Sequence, residues 1–188
     1  MSLFEYLAIA FSIIISMSVI RVISGLPHVL HRGRRYWVHA AFVGIQLMMT
    51  IVVFWNYWNF ATYTDWTLPK FILILASPAL IYLNACTLVP ERAENIESWR
   101  DYYFSVHRRY FLGLAAWLFA VAANTVVFLD MPIAAPGRIA QLMALLGCLA
   151  GAYYSSSKLH ATLAAFMTGL MLFWIFFVSL TPGGMRSV

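Results

Sequence analysis

The chain alternates long apolar runs with short polar breaks. Six runs approach the roughly 20 residues an α-helix needs to cross the hydrocarbon of a bilayer. They cover residues 4–25, 37–60, 68–88, 110–129, 139–154 and 159–180. The first stops before Pro27, and the third carries Pro69 in its first turn, where a missing N–H costs least. The fifth is short and rich in small residues. It joins the sixth by a tight turn through Ser155, Ser156 and Ser157; a five-span arrangement with this segment re-entrant is the alternative. The pattern predicts an all-α, polytopic membrane bundle forming a single domain over residues 1–188. Pro78, in the middle of the third run, predicts a kink.

The only sizeable polar segment is residues 90–107. Ile96, Trp99, Tyr103 and Val106 recur there at helical spacing, with Glu94, Glu97, Arg100 and Asp101 between them. This predicts a short amphipathic helix lying on the inner membrane surface and leading into the fourth span.

Composition agrees. The chain is 63% hydrophobic and only 10% charged, against roughly 25% charged in soluble domains; no single core of this size needs so much apolar surface. A net charge of +5 would raise nucleic acid as a partner in a soluble protein. Here the basic residues sit in short loops, where they set orientation instead, and no basic, aromatic-interleaved patch reads a nucleic acid. Arg32, Arg34, Arg35, Arg92, Arg100, Arg108, Arg109 and Lys158 fall on one side, with Arg21 just inside the first span. The other side has Lys70, Arg138 and Arg186. The positive-inside rule makes the crowded side cytoplasmic and both termini periplasmic. Trp55, Trp58, Tyr63 and Trp66 at the outer turn, and Tyr36 and Trp37 at the inner end of the second span, occupy headgroup-belt positions. With Glu5 and no basic residue ahead of the first run, and no small-residue cleavage site after it, that run reads as a retained helix.

Three pieces carry a resemblance: Phe4-Glu5-Tyr6-Leu7 at the start, Tyr36-Trp37-Val38-His39 at the second span, and Asp101-Tyr102-Tyr103 followed by Arg108-Arg109-Tyr110-Phe111. Together they resemble a family of small, functionally uncharacterised bacterial multi-pass membrane proteins. The resemblance implies a bacterial inner membrane and brings no activity or functional residue with it.

Polar residues inside spans are costly and therefore informative. Glu5, Ser12 and Ser16 cluster around the axis of the first helix. His39, Gln46, Thr50 and Tyr57 form a stripe on the second, Ser77 and Asn84 lie seven apart on the third, Asn124 is on the fourth and Gln141 on the fifth. Either these stripes converge on a hydrated path, or they bond helix to helix at about 0.6–2 kcal/mol each. Glu5, Asp65 and Asp130 belong to the outer face. In an oligomer they could ring a cation entrance; otherwise they are interfacial charges, with Asp130 paired to Arg138 across a turn. All five histidines map to the inner half, and His39, His107 and His160 each begin a different span. They are the candidates for a metal or haem, though no pair is expected at facing depths and no Cys-x-x-Cys, Cys-x-x-Cys-His or His-Glu-x-x-His occurs. No other cofactor is expected, and Cys86 and Cys148 read as buried free thiols. On the fifth helix Ala140, Ala144, Cys148 and Ala152 recur every fourth residue beside Gly147-x-x-x-Gly151, a close-packing surface for the bundle or for a second subunit.

Enzyme signatures such as Gly-x-Ser-x-Gly or a Gly-rich phosphate loop are missing. The first functional expectation is an oligomeric channel or transporter-like protein with a cation-conducting polar path, since six helices leave little room for a wide pore of their own. The second is a non-catalytic accessory, sensor or lipid-binding subunit, contacting membrane lipids and a partner subunit. The third is a membrane enzyme or haem carrier using the inner histidines.

Overall fold

A computed structural model describes residues 3–131, 136–177 and 179–180. The described residues form six α-helices and no strand. They are α1 (Leu3–Val29), α2 (Trp37–Asn56, prolonged by a 3₁₀ turn at Tyr57–Phe60), α3 (Leu68–Leu88), α4 (Trp99–Leu129), α5 (Pro136–Tyr153) and α6 (Ser157–Phe177). All but α5 are long and apolar enough to cross a membrane; α5 is apolar but shorter. Arg186 and Val178 lie outside the described residues.

The helices follow the apolar runs, with two differences. The first helix does not stop before Pro27 but runs through it to Val29. In the last turn, the proline forfeits one backbone bond and the rest of the helix is intact. The second difference is larger. The predicted surface helix is no separate element: from Trp99 onward it is the first part of α4, 31 residues long, or about 46 Å at 1.5 Å per residue. Its apolar stripe is real, but Trp99 and Tyr103 are fully buried in the bundle. Ser98 caps the helix, accepting from the Asp101 N–H at 3.3 Å, and Asp130 closes it in the left-handed region at φ 50°. α3 continues unbroken through Pro78.

α3 packs on α1 and α4, α4 on α5, and α2 on α1, α3 and α6, with α5 against α6. The loops 30–36, 89–98 and 154–156 meet at one end. There Arg34 Nη1 donates to the Glu94 and Ile96 carbonyls at 3.0 and 2.9 Å, and Trp99 Nε1 to the His28 carbonyl at 2.8 Å. At the other end Phe60, Tyr63 and Trp66 close around Phe128. The basic-rich loops are therefore gathered at one end of the bundle. The outward faces are apolar: Ile13, Ile20, Leu142, Leu146, Phe173 and Phe177 are all exposed, where a water-soluble domain would carry charge.

Candidate functional site

The buried face of α1 is Leu7, Phe11, Ile15, Ser18, Val22, Gly25 and Val29. Glu5 and Ser16 lie on exposed surface and Ser12 is half-buried, so the expected stripe does not turn as a unit toward α2. The polar α1 residue that bonds to α2 is Ser18, two residues and about 200° around the axis from Ser16. Thr50 Oγ1 donates to the Gln46 carbonyl at 2.8 Å, leaving Ser18 Oγ to donate to Thr50 at 3.2 Å. Gln46 Nε2 donates to the Ile81 carbonyl at 2.9 Å. Ser18, Thr50 and Gln46 thus tie α1, α2 and α3 together at mid-depth. Asn84 is buried where α4 comes closest: a Cβ on Gly113 would sit 2.1 Å from its Oδ1.

Among the described residues one ion pair occurs, between Asp65 and Lys70. The Lys70 ammonium holds the Asp65 carboxyl below the usual carboxylate range. Asp130 is exposed, and the expected Asp130–Arg138 pair is not formed; Arg138 Nη1 instead donates to Gln141 Oε1 at 2.8 Å. One helical turn brings Gln141 beside Arg138, whereas Asp130 is held by its own capping geometry at the far side of the connection.

The inner histidines do meet. His107 and His160 stand edge to face with ring centroids 5.3 Å apart, contrary to the expectation that no pair faces another. Their tautomers follow from their partners, because a carbonyl can only accept. His160 Nε2–H donates to the Tyr154 carbonyl at 2.8 Å, so Nδ1 accepts from the Tyr103 hydroxyl at 2.6 Å. His107 Nδ1–H donates to the Phe104 carbonyl at 2.7 Å, and Nε2 accepts from Ser155 Oγ at 3.2 Å. All four ring nitrogens are engaged. The pair pins the α5–α6 turn to α4. His39, fully buried, stacks on Trp99 at 4.8 Å and faces the Leu88 carbonyl without hydrogen-bonding geometry. Among the described residues no three His, Cys, Asp or Glu side chains converge as metal ligands.

The small residues of α5 serve the bundle itself. A Cβ on Gly151 would lie 2.7 Å from the Phe111 ring of α4, and one on Gly147 would meet the flexible end of Met167 on α6. Cys148 is buried beside them and, like Cys86, is a free thiol. The outward face of α5 carries Leu142, Leu146 and Tyr153 instead.

The same face of α5 borders a half-open chamber of about 180 Å³ lined mainly with α2, α4 and α6, and by Phe11 of α1 and Ile74 and Ser77 of α3. Its lining is mostly apolar, with Phe42, Cys148 and Met167 toward the inner half. Polar groups gather toward the outer end: Asn56, Asn124, Arg138 and Gln141. Most are already bonded. Asn56 and Ser179 exchange hydrogen bonds at 3.1 and 3.2 Å, and Gln141 Nε2 donates to the Leu118 carbonyl at 2.8 Å. Among the described residues, Tyr57 Oη, Asn124 Oδ1 and Arg138 Nη2 on this lining are buried without a partner. Of the polar candidates read from the sequence, Tyr57, Ser77, Asn124 and Gln141 line the chamber. Arg138, expected as an outer-side charge paired with Asp130, lines the chamber instead. An arginine inside the first turn of an apolar helix was the available signal. No protein-family model, no curated protein and no solved structure matches this chain.

Proposed function

We propose that the chain is a six-span integral membrane protein, in the bacterial inner membrane that the family resemblance implies, whose role is to hold an apolar or amphipathic small molecule between α2, α4, α5 and α6. This is the non-catalytic, lipid-binding reading. The observation that carries it is the chamber: an apolar space with a few polar groups at one end is the usual form of a small-molecule site. The conducting reading draws less support, because Ser18, Gln46 and Thr50 bond helix to helix at mid-depth and Ser16 faces outward.

Two measurements test this reading. Protein purified from its membrane and released intact into a mass spectrometer should carry a bound lipid-like molecule. Ala144→Phe, which projects a ring into the chamber, should lose it while melting normally. In parallel, liposomes containing the protein should leak protons and monovalent ions no faster than empty ones. A selective cation flux would return the oligomeric channel to first place, with Asn124 and the outer acids as its next targets.

Topology is proposed from the basic loops: the ends of α1, α3 and α5 face the cytoplasm. A reporter inserted at Glu94 should behave as cytoplasmic and one at Asp65 as periplasmic. The opposite pattern would reverse every side assignment.

A further inference from the structure

We infer that the chamber's occupant is a single-chain carboxylate, a medium-chain fatty-acid anion, with its headgroup on Arg138 and its tail running inward along α5. The inference rests on the ligand-holding reading above and adds the chemistry of the ligand. Arg138 stands in the first turn of α5. Its guanidinium is fixed in place: Nη1 donates to Gln141 Oε1, and Gln141 is itself anchored through Nε2 to the Leu118 carbonyl, each at 2.8 Å. The remaining terminal nitrogen, Nη2, is buried with no hydrogen-bond partner among the described residues, on a side chain that is only partly buried and lines the chamber. Nor does an acidic side chain answer the charge; the one ion pair among the described residues belongs to Lys70 and Asp65, elsewhere.

A buried N–H on a permanent cation is costly to leave unmet, and an anionic acceptor satisfies both its hydrogen bond and its charge. The start of an α-helix adds a partial positive charge of the same sense. An ammonium headgroup would be repelled, and a neutral alcohol would answer the hydrogen bond alone. The tail follows from the rest of the lining. From Arg138 to Cys148 the chamber follows α5 for ten residues, about 15 Å, and ends among Phe42, Cys148 and Met167. This narrow run along one helix suits one slender chain. The other unpartnered atoms on the lining, Tyr57 Oη and Asn124 Oδ1, are neutral and set no competing charge.

The test uses the full-length protein in lipid nanodiscs and three probes with the same terminally brominated twelve-carbon chain: a carboxylate, an alcohol and an ammonium. Bromine quenches tryptophan on contact, and Trp117 and Trp174 line the chamber. Only saturable quenching is counted, because probe dissolved in the bilayer quenches without saturating. At alkaline pH, where the acid is ionised, the carboxylate should bind tightest and the ammonium least. Arg138→Gln should weaken the carboxylate by about tenfold or more, the worth of a charge-assisted hydrogen bond, and leave the alcohol nearly unchanged. Arg138→Lys keeps the charge but not the planar fork, and should fall between the two. Ala144→Phe should remove saturable quenching by all three probes. If Arg138→Gln and Arg138→Lys bind the carboxylate like the parent, or the alcohol binds the parent as well as the carboxylate does, the headgroup assignment falls while the chamber stands. If no probe saturates, or Ala144→Phe changes nothing, both fall together.

Discussion

His160→Ala is expected to destabilise the inner half of the bundle by about 2–4 kcal/mol, through an unmet buried hydroxyl and the space left by the ring. His160 is fully buried and joined on both sides, to Tyr103 on α4 and to the Tyr154 carbonyl at the end of α5. Its ring also touches Phe104, His107 and Phe111. Tyr103→Phe removes only the hydroxyl and should cost about 1 kcal/mol, in the range of interhelical hydrogen bonds. The double variant should cost less than the sum, because Tyr103→Phe takes away the very hydroxyl that His160→Ala strands. A coupling of about 1–2 kcal/mol is expected from residues in direct contact. Thermal melting of the four proteins in one detergent measures it. Strict additivity would mean that the Tyr103–His160 bond contributes nothing to holding α6 on α4.

How much of this is legible in the sequence depends on what each pattern encodes. The apolar runs locate the helices because a 3.6-residue repeat filled with Leu, Ile, Val and Phe has few alternatives at these lengths. They do not set the rotation of each helix. α1 is apolar on every face, so nothing in its pattern distinguishes the side of Ser18, which is buried, from that of Ser16, which is exposed. The stripe Trp99, Tyr103, Val106 is visible, but an apolar stripe facing lipid and one facing protein have the same sequence. Charges at Arg100, Asp101, Arg108 and Arg109 give the segment the look of a surface helix; they lie on the exposed side of a helix whose other side is core. The apolar runs also place the histidines at helix ends, but which helix ends are neighbours is a matter of tertiary packing, and that brings His107 to His160. The acid nearest Arg138 in sequence is Asp130, whereas its partner in space is one helical turn along its own helix.

The small-residue pattern on α5 is the most transferable signal, and it supports the second large prediction. Gly151→Leu should disrupt the α4–α5 interface by about 3 kcal/mol, at the upper end of the cost of overpacking. Three atoms of the Phe111 ring lie within 2.8 Å of the position a Cβ would take. The ring has no direction in which to yield. It is fully buried, 5.2 Å from the Phe42 ring on α2 and 5.5 Å from His160 on α6. Moving it therefore disturbs three helices and the histidine pair at once. Gly151→Ala should already be harmful, and Gly147→Ala milder, because the atom it meets is the mobile tip of Met167. The rescue is specific: Phe111→Ala opens a space that the larger side chain introduced by Gly151→Leu can occupy, so the two substitutions combined should melt higher than either single variant. If the double variant instead melts lower than both, the small residues of α5 are not there to admit Phe111, and the surface they form has to be sought against a second subunit.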